Sequence, residues 1–211
     1  MREALSRLGP QAARLMGLAF GERLVAIAER STEASLNSVV AQAALDLCWD
    51  GWSGVAQSER VSSIEESLRD VLPLDRNGTV LARPGAALEF YTVQGLLELL
   101  AVNTGSRPAR AVATQLHSWL NSHFIHVYAS TKERPANLLR YASDTTGNVA
   151  FELETTIEDE EMADVVADSV DPAAFRGRAA ETGRALADII VRWEANAATT
   201  RKLGETNPYE R

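Results

Sequence analysis

The chain has 211 residues, and its 29 acids against 21 bases leave a formal net charge of −8. That balance argues against non-specific binding to nucleic acid or to an anionic membrane surface, and 45% hydrophobic with 24% charged residues is the make-up of an ordinary globular protein rather than of a disordered one. No linker-like stretch divides the sequence, so one helical domain over residues 1–204 with a flexible tail at 205–211 is expected.

Cys48 is the single cysteine, which excludes an intramolecular disulfide and a multi-cysteine zinc site and fits a reducing, cytoplasmic setting. The uncharged run from Leu15 to Gly21 behind Arg2, Arg7 and Arg14 is too short and too interrupted for a signal peptide. From Ala111 to Thr131 no Lys, Arg, Asp or Glu occurs, yet Gln115, His117, Asn121, His123 and His126 make this a soluble helix rather than a membrane anchor.

Period-3.6 patterning dominates. Gly9-Pro10 punctuates the N-terminal stretch, after which Met16, Phe20, Leu24 and Ile27 predict a helix from Pro10 to Arg30. Ser31 or Thr32 is a candidate N-cap for a second helix striped by Leu36, Val39, Val40, Ala43 and Leu47, which Gly51 and Gly54 end. A shorter helix is predicted from Ser62, three residues before Glu65, to Pro73. Residues Leu74 to Pro84 read as a loop. The next helix is apolar on two faces, Leu88 to Leu99 and Phe90 to Ala101, which predicts a central position. Gly105 suits a left-handed C-terminal cap and Pro108 a first helical turn, so the following stripe from Ala109 to Val127 should pack back as an antiparallel hairpin.

Residues Thr131 to Thr156 are the least helical, and Val149, Phe151 and Leu153 alternate as in a short strand. Thr156, Glu158 and Asp159 read as the acid-rich first turn of a helix reaching Ser169. Asp171-Pro172 then opens the clearest helix, striped by Phe175, Ala179, Thr182, Leu186, Ile190 and Trp193 and running to Lys202. The expected fold is all-α, a single-domain bundle of six or seven helices with a long C-terminal one.

The segment Val39 to Trp52 with its Leu45-Asp46-Leu47-Cys48-Trp49 centre, the helix pair from Glu89 to Val127, and Glu158 to Asp164 leading into the last helix together resemble the YjaG family of small, acidic, all-helical bacterial proteins. The resemblance implies an all-helical fold and transfers no catalytic residue.

No catalytic motif stands out. His117, His123 and His126 fall on one predicted helix, where only His123 and His126 lie close enough in angle to share a ligand, and neither a Glu-x-x-His pair nor His-Glu-x-x-His occurs. They are weak metal candidates beside the plainer reading of polar residues on a helix flank. Gly51-Trp52-Ser53-Gly54 is not a nucleophile elbow, Cys48 reads as a small buried thiol, and no Gly-rich phosphate loop is present. Arg107, Arg110, Gln115 and His117 after Gly105 could imitate a recognition helix, but the helix is too long and the chain too acidic for a DNA reader. No cofactor is called for.

Charge offers the sharper lead. From Tyr141 to Phe175 there are ten acids and no Lys or Arg, so this stretch carries the whole net charge and slightly more. The bland reading is a solvated face; the functional one is a docking surface for a basic protein formed by Glu158, Asp159, Glu160, Glu161 and Asp164 at the exposed start of a helix, with Trp52 as an accessible aromatic. The function expected on this basis is a non-enzymatic protein-interaction module, in one concrete form an immunity or antitoxin-like inhibitor. The competing expectation is a helical-bundle enzyme or ligand binder with an interhelical pocket near His123. Neither nucleic acid nor membrane is an expected partner, and self-association stays open.

Overall fold

Gly9-Pro10 separates two helices in the computed structural model, which describes residues 2–32, 34–53, 58–82, 85–132, 146–167 and 170–205. Helix α1 spans Arg2–Arg7 and α2 spans Pro10–Arg30. They are followed by α3 (Ser38–Asp50), α4 (Ser58–Asp70), α5 (Ala86–Asn103), α6 (Ala109–Lys132), α7 (Thr146–Val166) and α8 (Pro172–Glu205). The fold is all-α as expected, with eight helices among the described residues rather than six or seven, and its one β-type pairing there is an isolated bridge between Leu74 and Val80.

The central helix is α2, not α5. It packs on α3, α5, α6, α7 and α8, and its buried residues include Leu15, Leu18 and Val25 as well as the expected Met16, Phe20, Leu24 and Ile27. The approach is close: a Cβ at Gly21 would stand 2.7 Å from a Leu99 methyl of α5, so a larger residue there would have to push that methyl aside. α5 and α6 do form the expected hairpin, with Gly105 at φ 73° in the left-handed region that an L side chain resists.

Helix ends differ from the sequence reading in instructive ways. Asn37 caps α3 by accepting the Val40 N–H at 3.3 Å, because the helix begins at Ser38, beyond the reach of Ser31 and Thr32. α4 begins at Ser58, so Ser62 lies inside it rather than at its cap. Asp171 caps α8 as read, its Oδ1 accepting the Ala173 N–H at 3.0 Å, and the helix spans 34 residues. Of the expected tail at 205–211, Glu205 is the last residue of α8 and the rest lies outside the described residues.

The largest correction concerns α7. Its helix starts at Thr146, so Val149 to Leu153 is helical rather than a strand, and Glu158 sits in the middle of the helix rather than in its first turn. Three alternating residues are a weak signal against a helix whose partner lies elsewhere in the chain. Leu153 packs on the core and Ile157, one turn on, is also half-buried, so the helical spacing wins.

Candidate functional site

Arg23 is the largest fully buried side chain among the described residues. It occupies the inward face of α2, three residues after Phe20 and four before Ile27, and so falls within the apolar stripe itself. Burying a guanidinium requires acids in the same place. α7 supplies them: Glu154, Glu158 and Glu161 recur at helical spacing on one face and are all buried.

The geometry is specific. Arg23 Nη1 donates to Glu154 Oε1 at 2.6 Å and Nη2 to Glu161 Oε2 at 2.5 Å, a fork holding two carboxylates one above the other on α7. Glu158 lies between them and faces α6, its Oε1 3.3 Å from His117 Nε2. Phe20 closes the group, its ring 5.5 Å from the His117 ring and 5.5 Å from the Arg23 guanidinium carbon.

Burial pushes the Glu154 carboxyl up to about 8, against the pull of Arg23 and with Glu158 and Glu161 adding to the rise. Glu161 is raised for the same first reason. Burial works against the charge on Arg23, yet Glu154 and Glu161 outweigh it and hold the guanidinium above its ordinary value. Burial thus favours the neutral form of Glu154, and the group acts as a polar rivet between α2, α6 and α7.

This corrects the acidic-face expectation. Glu158 and Glu161 point inward and are not available as rim charges, whereas Asp159 and Glu160 are exposed and Asp164, half-exposed, pairs with Arg178 of α8. Glu160, Glu161 and Asp164 line an open groove of about 560 Å³ between α7 and α8, together with Ile157, Arg178 and Glu181. No family model, curated protein or solved structure matches the chain.

Trp52 sits in a 3-10 turn at Gly51–Ser53, half-buried against the core, with the Arg14 guanidinium carbon 6.0 Å from its ring centre. It is a plug over the end of α3 rather than a free aromatic. Cys48 is buried and its thiol is pushed up by that burial, which removes it as a nucleophile. The side chains of His123 and His126 lie outside the described residues, and among the described residues no group of three or more ligating side chains is arranged to hold a metal. Arg107 pairs with Glu98 at 2.9 Å and Arg110 Nε donates to the Leu8 carbonyl, so two of the four residues that could imitate a DNA reader are engaged within the bundle. Among the described residues no helix is long and apolar enough to cross a membrane.

Sequence reasoning missed Arg23. The signal was present: an arginine on a stripe of Phe20 and Ile27, and three glutamates spaced four and three residues apart in line with Val165, which is also buried.

Proposed function

We propose that this protein is a non-catalytic binding module that receives a basic protein on the outer acidic face of α7 and the adjoining face of α8, with an immunity or antitoxin-like inhibitor as its concrete form. The observation that carries this reading is the sorting of acids on one helix. Glu154, Glu158 and Glu161 are consumed by the interior, while Asp159 and Glu160 stay exposed with no ion-pair partner among the described residues. The inner cluster fixes the helix, so the outer charges are presented on a rigid element rather than on a loop, which suits steering and orientation of a basic partner. A cytoplasmic location belongs to the same proposal and is supported by the lone buried thiol. Kinship with the YjaG family is also part of it, supported by the order of α3, the α5–α6 hairpin and α7 before α8.

The test uses the surface charges alone. Asp159→Lys/Glu160→Lys and wild-type protein are compared for capture of a basic protein from a bacterial lysate, and the association rate of that protein is then measured at low and high salt. The expected result is an on-rate about tenfold lower for the variant at low salt and nearly equal rates at high salt. Equal rates at both ionic strengths, or no basic protein recovered by the wild type, would overturn the reading.

A further inference from the structure

We infer that α7 is a pH-gated cover: as pH rises it lifts from α2 and α6 as a unit while the rest of the bundle stays folded, and it closes again on acidification. The opening is a property of the chain alone and needs no partner.

The joint under α7 is polar where that under α8 is apolar. From Leu153 to Ala167 the buried side chains are Glu154, Glu158, Glu161 and Val165, so three of the four are acids. α8, by contrast, closes on the bundle through Phe175, Ala179, Leu186, Ala187 and Ile190. Lifting this part of α7 gives up little apolar burial, chiefly Val165 with the half-buried Leu153, Ile157 and Met162. Hydrogen bonding is also least complete at this joint. Seven buried side-chain atoms lack a hydrogen-bond partner among the described residues, and four of them meet here: Arg23 Nε, Glu154 Oε2, Glu158 Oε1 and Glu161 Oε1. Covered polar atoms without partners oppose docking, and water supplies those partners once the helix lifts.

A proton gives the opening its direction. Glu154 faces Arg23 of α2 and, on its own helix, Glu158 and Glu161; Glu158 meets His117 of α6, and Arg178 of α8 acts on Glu161. Burial raises the Glu154 carboxyl to about 8, whereas in the lifted helix, open to water, it returns to the ordinary value of about 4.3. Between those values the docked helix holds a proton that the lifted one releases, so each rise in pH favours the lifted form. Lifting uncovers the Arg23 guanidinium, with the Phe20 ring beside it.

The experiment is hydrogen exchange of the full chain, followed by NMR at the amides of Ile157 to Glu161 in α7 and of Phe20 to Leu24 in α2, at small urea increments and from about pH 6 to about pH 7.5, with intrinsic exchange rates divided out. The α7 amides should share one opening constant, about a hundredfold or more above that of α2, with a weaker urea dependence because less surface is exposed. That constant should rise about tenfold per pH unit, the signature of one proton released. Glu154→Gln, whose amide oxygen still accepts from Arg23, should flatten the rise to less than about threefold per unit. If that variant does not fold, the wild-type series decides alone. Matching opening constants and urea dependence in α7 and α2 would show that the two helices open only together, and would overturn the cover. A separate α7 opening that ignores pH overturns the gating, and so does an equal rise in Glu154→Gln.

Discussion

Gly183 of α8 lies directly against Arg23 of α2: a Cβ built on the glycine would stand 3.1 Å from the Arg23 Cα and 2.8 Å from the Ala26 Cβ. The most extensive helix pairing of the bundle, α2 with α8, and the Arg23 fork to α7 thus converge on one turn of α2. Gly177, on the same helix, faces open space. Gly183→Ala should therefore destabilise the protein by about 1–3 kcal/mol, since backbone rather than a flexible side chain must give way. Gly177→Ala should stabilise it by roughly 0.5–1 kcal/mol through helix propensity alone. Urea denaturation of the two single variants measures both, and a shared sign would contradict the close approach.

Arg23→Met removes the buried positive charge and both hydrogen bonds that it donates to Glu154 and Glu161, with an expected loss of about 3–5 kcal/mol. Replacing the fork as a whole is a different matter. Arg23→Met/Glu154→Leu/Glu161→Leu should recover most of that loss, because an apolar set of similar volume carries no desolvation cost. Should the triple variant be as unstable as the single one, the damage would lie in packing rather than in charge.

Stability should fall as pH rises from acid to mildly alkaline. Burial keeps the Glu154 carboxyl protonated up to about 8, whereas an unfolded chain loses that proton near the ordinary carboxylate value of about 4.3. Between those values the native state holds a proton that the unfolded state lacks, so each step up in pH favours unfolding, and the loss levels off above about 8. Burial raises Glu22, Glu29 and Glu161 in the same direction. The urea midpoint should drop between pH 6 and pH 9, and Glu154→Gln should show a shallower slope. An unchanged slope would assign the dependence to the other carboxyls.

Glu194 ties the end of α2 to α8. Its Oε1 accepts from the Ser31 hydroxyl at 2.6 Å, and its Oε2 from the Thr32 N–H at 2.8 Å and the Thr32 hydroxyl at 2.9 Å. Glu194→Ala should cost about 1.5–3 kcal/mol, the range for hydrogen bonds to a charged group. Hydrogen exchange at the Thr32 amide should accelerate by more than the global loss of stability accounts for, and protection that merely tracks global stability would place the tie elsewhere.

Local signals in the sequence survive folding where the chain itself closes them. Asp171-Pro172 starts α8 and Gly105 ends the α5 turn because cap and turn geometry involve neighbours a few residues away. The reading failed where the partner is distant. Ser31 and Thr32 have the right chemistry for an N-cap, but they bond to a carboxylate from more than 160 residues along the chain, and the helix begins only after Asn37, which caps it. The acids of α7 form one dense run in sequence, and only the burial of Arg23 divides that run into an inner and an outer set. Composition sums charge; helical phase distributes it. The groove between α7 and α8 depends on the mutual placement of two helices, which no local pattern carries.

The burial of Cys48 makes the protein its own clock for opening. It is the chain's single sulfhydryl, wholly enclosed, with its thiol held far from the reactive thiolate form. A thiol reagent added to the folded protein meets nothing to modify, and a molecule acquires the label only after the wall of α3 has come away. With scarce reagent the labelling rate tracks the population of opened molecules, and with abundant reagent it tracks how fast they open. The same untouched chain thus yields both quantities, and every charge and glycine variant named above can be timed without attaching a probe.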